Sequence, residues 1–149
     1  MAKNTSYEGF TEDERAAMKA RAAELKSSSS RTGSAEKKAA AEAQDCLDKI
    51  AAMPKEERVI AEALHRIVAD AAPDLAPKTW YGMPAYARDG KAVVFFKNAS
   101  KFKVRYNEVG FNESAHLDDG DIWPTAYAVT ALNAAVEKEL TALVRRAAG

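Results

Sequence analysis

The segment "YARDGKAVVFF", residues 86–96, limits the fold more than any other. Asp-Gly between two apolar, β-forming runs is the strongest short-range hairpin signal. It predicts a two-residue type I′ turn at Asp89-Gly90, with positive φ at both positions. That register sends Val93 and Phe95 to one sheet face and Val94 and Phe96 to the other. A strand apolar on both faces belongs in the middle of a sheet. Helices should then cover one face. The "WYGMP" segment or an N-terminal arm should shield part of the other.

Further strands are expected near 79–82, at 84–88 and at 91–97. Pro84 cannot donate to a ladder, so it marks an edge, a bulge or a strand break. "KFKVRY" (101–106) alternates, with Lys101, Lys103 and Arg105 on one side and Phe102, Val104 and Tyr106 on the other. It reads as a half-buried strand. "GF" at 110–111 can start another short strand, and "PTAYAV" is a final strand or a turn.

Helical periodicity flanks this β region. "TEDERAAMKARAAELK" opens with a capping box, Thr11 and Glu14, but its apolar stripe of Met18, Ala22 and Leu25 is thin. With "SSSSRTG" after it, residues 1–33 read as a loosely attached helical arm and linker. The folded domain is then 34–149. Ser34 can cap a helix to about Met53, with Ala43, Leu47 and Ile50 facing inward. Pro54 suits the first turn of the next helix, striped by Ile60, Leu64, Ile67 and Val68, with His65 near the edge of its buried face as a solvated, capping or ligating group. Thr130 caps the last helix, striped by Leu132, Val136, Leu140, Leu143 and Val144. The fold class is therefore α+β, an antiparallel sheet with helices packed on one face.

A chain of 149 residues suits one domain. Lys plus Arg and Asp plus Glu both number 22, so net charge names no partner. A single cysteine, Cys46, excludes an internal disulfide framework and fits a reducing compartment. "MAKNTSYEGF" lacks a signal-peptide core, and no run approaches the roughly 18–20 apolar residues of a spanning helix. A cytoplasmic monomer or weak homodimer is expected.

Three surfaces are candidates for function. Trp80 and Tyr81, with Tyr86 and Trp123 nearby in space, could wall an aromatic pocket; the alternative is a core role. Lys101, Lys103 and Arg105 could present a basic sheet face to phosphate or a protein, or simply protect a solvated edge. That face has no alternating aromatics, so nucleic acid is not an expected partner. Finally, "NESAHLDDGDIWP" (112–124) lies in a stretch with no Lys or Arg between Arg105 and Lys138. His116, Asp118, Asp119 and Asp121 could gather on a metal ion, iron among the candidates. Asp-Asp-Gly-Asp is equally good turn chemistry. The segment is neither a calcium loop nor, without thiolates, a structural zinc site. Nucleophile elbows, P-loops and dinucleotide fingerprints are all missing, so no enzyme is expected.

The set W-Y-G-M-P-A-Y (80–86), K-F-K-x-R-Y (101–106) and L-D-D-G-x-x-W-P (117–124) resembles the YdhG-like family of the YjbR/CyaY-like superfamily, which includes bacterial frataxin-like proteins. The match runs over about 60–148, and "GFTEDERAAMKARAAELK" looks like the arm of a subgroup. The resemblance implies a compact α+β domain, weak iron binding, and iron–sulfur assembly proteins as partners. The helix expected at 54–72 mixes acids with Lys55, Arg58 and Arg66, which leaves 108–121 as the acid-only segment.

Overall fold

A computed structural model describes residues 11–30 and 34–149. Residues 27–30, expected to be linker, instead continue helix α1, while the linker residues 31–33 and the first ten residues lie outside the described part. The order is α1 (Glu12–Ser30), α2 (Ala35–Ala51), α3 (Lys55–Ala71), β1 (Ala76–Trp80), β2 (Met83–Arg88), β3 (Lys91–Lys97), the short turn α4 (Ala99–Phe102), β4 (Asn107–Phe111), β5 (Ala126–Val129) and α5 (Ala134–Ala148). The five strands form one antiparallel sheet in sequence order, β1-β2-β3-β4-β5. The α+β class expected from the sequence is the class observed. None of the described helices is long and apolar enough to cross a membrane.

The predicted turn is present. Asp89 has φ 53° and Gly90 φ 79°, and Arg88 pairs with Lys91 across it. β3 is the central strand. Its facing departs from strict alternation at one place. Tyr86 pairs with Val94, but Ala87 pairs with Ala92, so Val93 is the extra residue of a bulge. Val93 therefore joins Val94 and Phe96 in the core instead of sharing a face with Phe95.

The core lies between one sheet face and the helices. Tyr86, Val94, Phe96, Val109 and Phe111 meet Cys46 and Ile50 of α2, Ile60, Leu64 and Val68 of α3, and Leu140 and Val144 of α5. The inward stripe of α2 is rotated by one residue from the expected one: Cys46 is buried and Leu47 is 42% exposed. Ser34 caps α2, its hydroxyl accepting from the Lys37 N–H. Pro54 stands one position earlier than expected, as the residue before α3. The last helix begins at Ala134, not after Thr130, because the Asn133 side chain accepts from the Val136 N–H at 2.9 Å.

Two strand expectations are corrected. Tyr81 and Gly82, with φ 51° and 75°, form a second tight turn, so "WYGMP" is a hairpin and not a kinked strand. Pro84 pairs with Thr79 on the β1 side, while pairing to β3 begins only at Ala85, so its missing N–H costs no ladder bond there. "KFKVRY" is not a strand. Glu57 of α3 accepts from the Asn98 amide, the Ser100 N–H and the Ser100 hydroxyl at 3.0, 2.9 and 2.7 Å. Asn107 accepts from the Ala99 N–H at 2.8 Å and donates to the Val129 carbonyl at 3.1 Å. These clamps fold 99–102 into a helical turn that Lys103 ends in the left-handed region, φ 53°. Burial opposes ionisation of Glu57, but its bonds from Ser100 and Asn98 outweigh that and lower its pKa.

One polar contact reaches into the core: the Tyr86 hydroxyl lies 3.0 Å from His65 Nδ1. Cys46 belongs to the same buried cluster as Tyr86. Burial pushes the Cys46 thiol up to about 11, so it stays protonated and unreactive at neutral pH. Desolvation lowers the His65 pKa below its ordinary 6.5.

Two outcomes test this arrangement. Gly90→Val should lower stability by roughly 1–2 kcal/mol in urea denaturation, because a β-branched residue resists positive φ. No atom lies within 4 Å of a Cβ there, so the whole loss is backbone strain, and an unchanged midpoint would refute the turn. For His65, the folded state favours the neutral ring. Its contribution to stability is full above the unfolded value of 6.5 and is lost as pH falls through the lowered folded value. His65→Gln should flatten stability against pH in that window; an unchanged profile would remove His65 as a contributor.

Candidate functional site

The sheet face opposite the core carries Trp80 and Met83, then Ala85, Phe95 and Gly110 in cross-strand line, then Lys97 beside Glu108. Phe95 is the one ring of β3 on this side, and it is half-buried. Its ring lies over Gly110, where an added Cβ would overlap it. Gly110 has no positive φ, so glycine serves here to admit the ring and not to make a turn. Trp80 packs on Phe95 at a centroid distance of 5.2 Å and edge-on to Tyr81 at 4.8 Å.

Helix α1 forms the opposite wall. Thr11 and Glu14 make the expected capping box, with bonds of 3.3 and 3.1 Å. Ala17 is buried at 6%, and Glu14, Ala17 and Met18 face a cavity of about 290 Å³. Trp80, Tyr81, Phe95 and Phe102 line the same cavity, with Met83, Lys97 and Glu108. The arm is thus fastened to the sheet, and mainly by polar contacts. Glu24 Oε1 accepts from the Gly82 N–H at 2.9 Å, and Lys101 Nζ donates to the Gly82 carbonyl at 2.6 Å. Arg21 stands 3.7 Å from the second Glu24 oxygen and 5.7 Å above the Tyr81 ring. Lys103 reaches Asp13 at 3.7 Å. Desolvation lowers the pKa of Lys101.

The sequence-derived candidates are distributed as follows. Trp80 and Tyr81 do line one pocket. Tyr86 does not: it is fully buried on the other sheet face. Trp123 lies elsewhere, in a second cavity of about 480 Å³ with Glu113, Asp118 and Asp121. Lys101, Lys103 and Arg105 share no sheet face, since their segment is not a strand. Lys101 serves the Gly82 turn, Lys103 the arm, and Arg105 stacks 5.3 Å from the Tyr106 ring centroid. His116 donates its backbone N–H to the Ala147 carbonyl at 2.9 Å, and its ring adjoins Gly149. Asp119 is exposed and does not line the second cavity. Among the described residues, no three His, Cys, Asp or Glu side chains form a group that could hold a metal ion.

Phe95, Phe102, Met18 and Glu108 belong to the aromatic pocket and were not among the expected site residues. Strand alternation could have found Phe95, because it points away from Val94 and Phe96. Nothing in the spacing brings Phe102 or Met18 to it; that depends on α4 and on the docking of α1.

Filling the space under Phe95 tests the geometry. Gly110→Ala should displace the ring toward the cavity and destabilise by roughly 1–3 kcal/mol, as overpacking does. A variant as stable as the parent, with unchanged Trp80 fluorescence, would contradict the close approach.

The chain was compared with family models, curated proteins and solved structures, and no match was found in any of the three.

Proposed function

We propose that this protein is a non-catalytic small-molecule binding module. Its site is the aromatic pocket between α1 and the outer face of β1–β4. One observation carries the reading: four rings, Trp80, Tyr81, Phe95 and Phe102, converge on one cavity outside the folding core. An apolar, concave site with a few charged groups at its border is the usual form of a ligand pocket. Its volume, about 290 Å³, suits a ligand with one or two rings. Binding would bury ring surface, a favourable contribution that rises with the apolar area removed from water.

A second reading follows from the YdhG-like resemblance: weak iron capture, with hand-over to iron–sulfur assembly partners. What supports it is the second cavity, whose lining includes Glu113, Asp118 and Asp121 and no Lys or Arg. Attraction there would be electrostatic, not chelation by a closed ligand set. Anaerobic calorimetry with Fe(II) should then give weak heats that Asp118→Asn/Asp121→Asn abolishes; equal heats for both proteins would exclude this site.

The pocket reading is tested with benzyl alcohol, a neutral aromatic probe, followed by saturation-transfer NMR. The parent should show transfer that Met18→Trp, which fills the cavity from the α1 side, removes. Asp118→Asn should leave it unchanged. No transfer to the parent, or equal transfer to the Met18→Trp protein, would refute the reading.

A further inference from the structure

The charged groups around the aromatic pocket are not equivalent. Glu14 already closes the capping box of α1, its carboxylate accepting from the Thr11 N–H. The Lys97 ammonium stands over the Phe102 ring, 5.3 Å from its centroid. Glu108 is different. It is half-buried on the pocket face of β4, and its carboxylate has no hydrogen bond or ion pair among the described residues. Its cross-strand neighbour is Lys97, yet no salt bridge joins the two. A carboxylate at the border of an aromatic pocket, with its acceptor positions open, is suited to a hydrogen-bond donor that also carries positive charge. The rings favour the same ligand. Their faces are electron-rich, and this protein's own cations already stand over two of them, Arg21 over Tyr81 and both Lys97 and Lys101 over Phe102.

Resting on the pocket reading above, we propose that the ligand class is a planar aromatic cation: an aromatic amine or amidine whose ring stacks on Trp80 and Phe95 and whose N–H groups donate to Glu108. An anionic ring of the same size would meet the Glu108 charge, while Lys97 and Lys101 are already engaged by the Phe102 ring and Lys101 also by the Gly82 carbonyl.

Three probes of one shape separate the possibilities: benzamidine, a cation; benzamide, neutral; and benzoate, an anion. Each is titrated by calorimetry into the full chain, at low and at moderate salt. Benzamidine should bind about tenfold more tightly than benzamide, the scale of one charge-assisted hydrogen bond, and benzoate most weakly. Glu108→Gln should remove the difference between benzamidine and benzamide, bringing the two to about equal binding. Glu108 is half-buried and makes no described side-chain bond, so the variant should keep the parent's melting temperature. Equal binding of the three probes, or a benzamidine preference that survives Glu108→Gln, would overturn the cation assignment and leave the pocket reading standing. No binding by any of the three would overturn both.

Discussion

Phe95 resting on Gly110 is the contact on which the outer sheet face depends. β3 sends Val94 and Phe96 into the core and Phe95, its one aromatic ring on the outer face, to the other side. The bulge at Val93 makes that division more unequal, since it turns an additional apolar side chain inward. The ring occupies the space that a Cβ on its β4 neighbour would take. Glycine at 110 leaves that space open, and Trp80 then has a surface to pack against. Core formation and site formation are thus assigned to opposite faces of one central strand.

The second dependence runs through the Tyr81-Gly82 turn. A tyrosine at φ 51° is strained, at a cost on the order of 1 kcal/mol. Its ring compensates by contacts to Trp80 and Arg21. Both polar backbone groups of Gly82 are tied, the N–H to α1 and the carbonyl to the Lys101 side chain of α4. The hairpin tip therefore locates two elements that wall the pocket. Because α1 buries little apolar surface, its attachment rests largely on these charged contacts. Salt weakens most the exposed ones among them, Lys103 with Asp13, and much less the partly buried Arg21 with Glu24.

Much of the architecture was legible in the sequence. Asp89-Gly90 announced the central hairpin because its turn type demands residues that tolerate positive φ. The capping residues Thr11 and Ser34 marked helix starts for an equally local reason. The errors lie where tertiary contacts override local pattern. "KFKVRY" alternates like a strand, yet Glu57, some forty residues away in sequence, holds its beginning in a helical turn. Tyr81 occupies a turn position that propensity alone gives to Asn, Asp or Gly. Leu47 is more apolar than its surroundings but faces outward, because Cys46 and Ile50 set the side of α2 that meets the sheet. For the site, Trp80 and Tyr81 were visible as an aromatic cluster. Their true companions, Phe95 and Phe102, arrive from elements whose meeting no spacing encodes.

The division of labour between the faces of β3 is the central claim, and paired urea denaturation of Phe95→Ala and Phe96→Ala tests it most directly. The two residues are adjacent and identical, so only their surroundings differ. Phe96 is fully buried in the core, and its loss should cost roughly 3–5 kcal/mol through lost burial and the cavity left behind. Phe95 is half-buried beside the pocket, and its loss should cost clearly less than that of Phe96 while opening the ring cluster around Trp80. Equal losses, or a larger loss for Phe95→Ala, would contradict the account by showing that the outer face is part of what holds the fold together.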